Sequence, residues 1–172
     1  MSYPLGFRIA QAVGLSGAAW ISGNIAGISV NIVPALIRSR DEANASPNLL
    51  AKQWQFIYDN GSTQNPPIAL VIASAFFYLS WSVRKGAPLY EPAAGSRSGL
   101  FAAAGGMILG IVPYTLVAMA KTNKTLMAKA KSVSELSAAD VTGLLKTWAG
   151  LNLGRGLFPL VGCLCGIAAS FP

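Results

Sequence analysis

The sequence predicts an all-α integral membrane fold: a bundle of four transmembrane helices with short interfacial helices in its long loops. Three observations predict it. The 172-residue chain is 53% hydrophobic and only 11% charged, whereas about a quarter of an ordinary soluble chain is charged. Four apolar runs, 9–37, 67–83, 99–120 and 151–171, approach or exceed the length that crosses a bilayer, roughly 20 residues at ~1.5 Å rise each. A soluble domain of this size lacks the interior to hide so much apolar surface. One transmembrane domain over 1–172 is the expected organisation.

The first run, 9–37, is too long for the apolar core of a signal peptide and is expected to stay in the protein, tilted or protruding. In the loop 38–65 that follows, Ser46-Pro47 supplies a helix N-cap with proline in the first helical position. A helix from there is expected to end near Tyr58, at the Asn60-Gly61 stop signal. Its Leu50, Trp54, Ile57 and Tyr58 would share one face, lying on the membrane interface. The second run, 67–83, is the shortest, and the connection 84–98 is rich in Pro, Gly and Ser. After the third run comes the loop 121–149, in which Ser137-Ala-Ala-Asp140 reads as a capping box. The helix it opens is expected to run straight into the fourth span. G-x-x-x-G pairs at Gly23–Gly27, Gly106–Gly110, Gly150–Gly154 and Gly162–Gly166 predict close helix packing in lipid. They leave a homo-oligomer open as well. The stretch 27–34 echoes 106–113, each ending Ile-Val-Pro, as two related hairpins would; chance similarity between apolar helices explains the echo equally.

The net charge is +7. Its lysines and arginines flank apolar runs, so they are read as anchors to lipid headgroups and not as a nucleic-acid surface. Arg38, Arg40, Lys52, Lys121, Lys124, Lys129, Lys131 and Lys146 fall in the first and third loops, against Arg8, Arg84, Lys85 and Arg97 on the opposite side. That excess places the two long loops in the cytosol.

The chain contains no histidine, which removes the commonest metal ligand and general base. No metal site is expected. Cys163 and Cys165 do not face each other on a helix and read as apolar filler. No phosphate or nucleotide motif occurs, and no acidic pair lies inside a span, which speaks against a proton-coupled pump. Function must therefore be sought in polar residues within the apolar runs. Trp148, Asn152 and Arg155 follow i, i+4, i+7 spacing and form one stripe of the fourth span. Arg155 either snorkels to the interface, with Trp148 as a belt anchor, or points inward to hold an anionic or carbonyl oxygen. Asn24 and Asn31 share a face of the first span, with interhelical hydrogen bonding as the plain alternative.

These residues fall within a longer series: Trp20-Ile-Ser-Gly-Asn24, Val33-Pro34-Ala35-Leu36, Leu50-Ala-Lys-Gln-Trp54 with Ile57-Tyr58, and Asn65-Pro66-Pro67. Tyr78-Leu-Ser-Trp81, Gly110-Ile-Val-Pro-Tyr-Thr115, Thr122-Asn123, Trp148, Asn152 and Arg155 complete it. In order and spacing the series resembles the anthrone oxygenase family of fungal aromatic-polyketide pathways. The resemblance implies an enzyme, a monooxygenase that converts an anthrone such as emodin anthrone to its anthraquinone with O2. It also implies that no metal, flavin or haem cofactor is used, in keeping with the absence of histidine, and that the protein sits in the endoplasmic reticulum or another endomembrane. The implied partners are a hydrophobic aromatic polyketide, O2 and the lipid bilayer.

On that resemblance, Arg155 with help from Lys52 is expected to stabilise an anthrolate oxygen. Asn24, Asn65, Asn123 and Asn152 would hydrogen-bond the carbonyl and phenols, and Trp54, Trp148 and Tyr114 would form aromatic walls. Tyr58, Asp59 or a bound water would serve as base, or Lys52 if burial lowers its pKa. Two other readings stay open: a non-catalytic membrane scaffold or carrier for pathway components, and a cofactor-free cyclase or isomerase on a related polyketide.

Overall fold

The computed structural model describes residues 3–92, 96–132 and 136–171. These are helical almost throughout, with no strand among the described residues. In chain order they form α1 (Leu5–Gly27), a π turn (Ile28–Ile32), α2 (Val33–Ala43), α3 (Pro47–Ser82), α4 (Arg97–Val117), α5 (Ala120–Ala130) and α6 (Ala138–Ser170). Three helical stretches are long and apolar enough to cross a membrane: Leu5–Ala43, Arg97–Val117 and Ala138–Ser170. The run 67–83 lies within and just beyond the second half of α3, outside these three, so the described helices support three spans. Large exposed apolar side chains such as Leu70, Leu116, Leu157 and Leu164 suit contact with lipid better than contact with water.

Local signals explain several helix ends. The π turn precedes Pro34, where the missing N–H would break an α ladder in any case. α2 stops at Asn44, which adopts the left-handed conformation at φ 53° and is one of the few residues besides glycine that tolerate it. Ser46 caps α3, its hydroxyl accepting from the Leu49 N–H at 3.2 Å. The Ser137 hydroxyl accepts from the Asp140 N–H at 3.5 Å, and α6 runs on into the last apolar run as expected.

The expected stop at Asn60-Gly61 is corrected: α3 continues through Gly61, Pro66 and Pro67 to Ser82. Its buried or half-buried positions recur every three or four residues, at 50, 54, 58, 61, 65, 69, 72, 76 and 79. Burial of this continuous face outweighs one glycine, about 1 kcal/mol, and the prolines' missing hydrogen bonds. The Ser62 and Thr63 hydroxyls donate to the Asp59 carbonyl, each at 2.9 Å. The interfacial reading of this segment is corrected too, because Leu50 and Trp54 are fully buried in protein.

By contacts the chain divides into two compact units. The first comprises Met1–Gly23, Pro66–Val112 and Gly156–Pro172. Its interior is aromatic against glycine: Phe76 stacks on Phe101, Phe7 meets Phe101 edge-on, and a Cβ on Gly166 would lie 2.6 Å from the Phe76 ring. At Gly162 a Cβ would come within 3.0 Å of the Ala104 carbonyl oxygen, so two helix backbones meet there. Gly162–Gly166 is the glycine pair used as expected. At Gly23, Gly27, Gly106 and Gly150 a Cβ would meet nothing within 4 Å. Buried Arg97 donates to the Ala169 carbonyl at 2.9 Å and to the Tyr3 hydroxyl at 3.0 Å, capping the end of α6.

The second unit comprises Asn24–Asn65 and Pro113–Arg155. Val33, Leu50, Trp54, Met119, Leu126, Val141, Leu145 and Trp148 form its apolar core. Most of the buried polar side chains among the described residues also lie here.

Candidate active site

The stripe read from the sequence of α6 is the spine of the second unit. Trp148, Asn152 and Arg155 project from one face of that helix, and each engages a different segment. The Trp148 indole N–H donates to Asn123 Oδ1 at 2.8 Å. Asn152 is fully buried, and its Nδ2 donates to the Ile25 carbonyl at 3.0 Å and to Ser29 Oγ at 2.8 Å. Its Oδ1 accepts from Arg155 Nη2 at 2.6 Å. The amide can satisfy a carbonyl and a guanidinium at once in this orientation alone, which fixes its rotamer. Arg155 Nη1 reaches Thr115 Oγ1 at 3.3 Å. The guanidinium thus points into protein, toward Thr115 and Asn152. Its Nε is buried without a hydrogen-bond partner among the described residues, as is Trp54 Nε1. Tyr58 and Tyr114 are electrostatic neighbours of Arg155, and the Tyr114 hydroxyl lies over Gly154, 2.8 Å from where a Cβ would be.

A pocket of about 300 Å³ opens beside this network, at the lower end of the ~300–1,000 Å³ typical of ligand sites. Tyr58 lines it from α3, and Thr115 and Leu116 from the end of α4. Ala120, Asn123, Lys124 and Met127 complete it from α5; their i, i+3, i+4, i+7 spacing puts them on one helix face. Residues 118 and 119 break the helix between α4 and α5, which lets α5 turn that face to the pocket. Tyr58 is held by its neighbours: Trp54 stacks on it at 5.2 Å, and Trp148 meets Trp54 edge-on at 5.7 Å. The lining is therefore half apolar (Leu116, Ala120, Met127) and half polar, with the lysine as its one charged member.

Of the residues singled out in the sequence, Tyr58, Trp54, Tyr114, Asn123, Trp148, Asn152 and Arg155 are brought together. Asn65 is buried, its amide 3.6 Å from a Cβ position on Gly61, away from the pocket lining. Asn24, Lys52 and Asp59 are exposed and absent from that lining, so the support expected of Lys52 and the base role expected of Asp59 have no geometric basis here. Thr115, Ser29 and Lys124 were missed. The spacing within 120–127 carried the signal for Lys124. Ser29 was hidden by a choice of face: Asn24 and Asn31 drew attention to the exposed side of the helix, while Ile25 and Ser29 face inward. Among the described residues no group of three His, Cys, Asp or Glu side chains is placed to hold a metal.

A family model described as anthrone oxygenase matches residues 54–165. An anthrone oxygenase of Aspergillus fumigatus is 32% identical over 93% of this chain and 91% of its own length. An anthrone oxygenase of Aspergillus novofumigatus is 28% identical, covering 92% and 91%. A noranthrone monooxygenase of Aspergillus flavus is 28% identical over 91% of this chain and 71% of its own. No solved structure gives a significant match.

Proposed function

The chain belongs to the anthrone oxygenase family, and from that premise we propose that it oxidises an anthrone to its anthraquinone with O2 in the pocket between Tyr58 and α5. The observation that carries this site is the Trp148–Asn152–Arg155 network directly behind the lining residues Asn123 and Thr115.

The chemistry asks little of the protein. The ring methylene of an anthrone is doubly benzylic, and the anion left by its proton is the conjugate base of a phenol. That proton passes to a water held by the Tyr58 hydroxyl, and from it to solvent. The anion gives one electron to O2, and the resulting radical and superoxide join at the same carbon as a peroxide. Loss of the second methylene hydrogen as a proton, with cleavage of the O–O bond, leaves a carbonyl and water. One oxygen atom enters the ring and the other leaves. The reductant is the substrate anion itself, so the reading needs no bound cofactor, and a chain without histidine fits it. The protein's task is to orient a flat apolar molecule, exclude bulk water and favour the anion electrostatically. Arg155, held by Asn152 and Thr115, supplies positive potential, and Tyr58, backed by Trp54 and in turn by Trp148, supplies a rigid aromatic wall. In this reading the protein sits in an endomembrane, its long loops face the cytosol and the substrate enters from lipid.

The test is oxygen uptake by purified, metal-stripped protein in detergent given emodin anthrone, beside Arg155→Lys, Arg155→Met and Arg155→Ala. The wild type is expected to form one anthraquinone per O2 consumed. The Met and Ala variants should lose roughly 100-fold in kcat/KM, the scale of removing one preorganised charge near a developing anion. Wild-type turnover by all three variants removes Arg155 from the mechanism. Uptake at background, unchanged by added iron, copper, haem or flavin, removes the activity.

A further inference from the structure

We propose that Lys124 holds an ionised oxygen of the ligand, so that the pocket takes its hydroxyaryl ligand as an oxyanion; this deepens the oxygenase reading and rests on it. Lys124 is the charged side chain of the pocket wall, and no carboxylate lines that wall with it. It makes none of the ion pairs found among the described residues, although a neighbouring lysine of the same helix does: Lys129 lies 3.7 Å from Asp140. Its companions on the α5 face differ in kind. Asn123 is tied to Trp148, and Ala120 and Met127 are apolar. Lys124 is exposed at the pocket mouth, where its ammonium can meet a ligand that enters.

Arg155 is different. It reaches the wall through Thr115 and is itself no part of the lining. The direct ion contact therefore falls to Lys124, and Arg155 acts as a positioning residue behind it. The other titratable side chain of the lining is the Tyr58 phenol, and Asp59 beside it in the chain is exposed and outside the lining. The site is thus electrostatically one-sided, and a bound phenol that ionises there gains a charge-assisted hydrogen bond that its neutral form does not make.

Emodin, whose visible spectrum changes when its phenols ionise, is a probe that needs no turnover. Bound to wild-type protein in detergent, it is expected to ionise about one to two pH units lower than in empty micelles, which is the scale of one such bond. Lys124→Met should return its titration to the micelle value and weaken binding of the ionised form by about 10- to 100-fold. Lys124→Arg should retain most of the effect, and Lys121→Met all of it. Helical circular dichroism checks that each variant folds. Emodin titrating alike on wild type and Lys124→Met, or alike on wild type and in empty micelles, overturns the proposal. The two readings separate cleanly. If anthrone is oxidised while the emodin titration stays unmoved, only the role of Lys124 falls. If anthrone is not oxidised, the oxygenase reading falls whatever the titration shows.

Discussion

The two units draw on the same helices and use them in opposite ways. In the first, α1, α3, α4 and α6 are packed by subtraction: glycine at 14, 17, 105, 162 and 166 makes room for rings, aliphatic chains and one bare carbonyl. Its buried polar groups, chiefly Arg97 and Ser22, tie backbone to backbone. In the second unit, the helices deliver Asn123, Asn152, Ser29, Trp148 and Arg155 to hydrogen-bonded partners, and Asn123 also lines a pocket. Close packing of small residues stabilises helices where dispersion must do most of the work. Polar groups that bond side chain to side chain are costly to bury and fix one geometry, and a site needs that geometry. With the proposed site in the second unit, the comparison divides stability from chemistry, and substitutions can break that division.

The largest effect is expected at Tyr58. Tyr58→Phe keeps the ring that stacks on Trp54 at 5.2 Å and removes only the hydroxyl of this pocket-lining residue. If that hydroxyl holds the water that takes the methylene proton, kcat should fall by roughly 10²- to 10⁴-fold, with KM nearly unchanged. Thermal unfolding in detergent should move by less than about 1 kcal/mol, because a partly exposed hydroxyl is the only group lost. Wild-type turnover by this variant would make the second unit as structural as the first.

Gly162→Ala should do the reverse. The added methyl meets the Ala104 carbonyl oxygen at 3.0 Å, with Ile108 and Met107 just behind. A backbone atom cannot rotate away, so helices must shift, at a cost of about 1–3 kcal/mol. The melting temperature should drop by several degrees, and emodin anthrone turnover by the folded fraction should stay at the wild-type rate. A fall in kcat that exceeds the loss of folded protein would show that the first unit contributes to the chemistry.

This division was partly legible in the sequence, and the legible part has a physical reason. A charged or amide side chain in an apolar helix stands out whatever the fold, so the stripe of Trp148, Asn152 and Arg155 was visible from spacing alone. Long helices and their caps at Ser46 and Ser137 are local and were readable for the same cause. What depends on a partner was not. The stop signal at Asn60-Gly61 failed because burial along the rest of α3 overrode it. Which face of the first helix turns inward, Asn24 and Asn31 or Ile25 and Ser29, is set by packing and by the π turn, and neither writes a pattern into the residues. Lys124 looked like one more anchoring lysine until α5 gained a direction.

The glycine pairs give the finest version of the comparison, because identical motifs have different surroundings. A Cβ at Gly162 is crowded, whereas one at Gly23 meets nothing within 4 Å, and Gly27 one turn on is equally open. In a helix interior alanine is favoured over glycine by about 0.5–1 kcal/mol. Gly23→Ala should therefore stabilise the protein slightly, raising its melting temperature in detergent by one to a few degrees, where the same change at Gly162 lowers it. Measured side by side, the two substitutions should have opposite signs. A loss of stability at Gly23 that deepens as protein concentration rises would mean that this face packs against a second copy of the chain. The motif would then serve association at one end of the sequence and internal packing at the other.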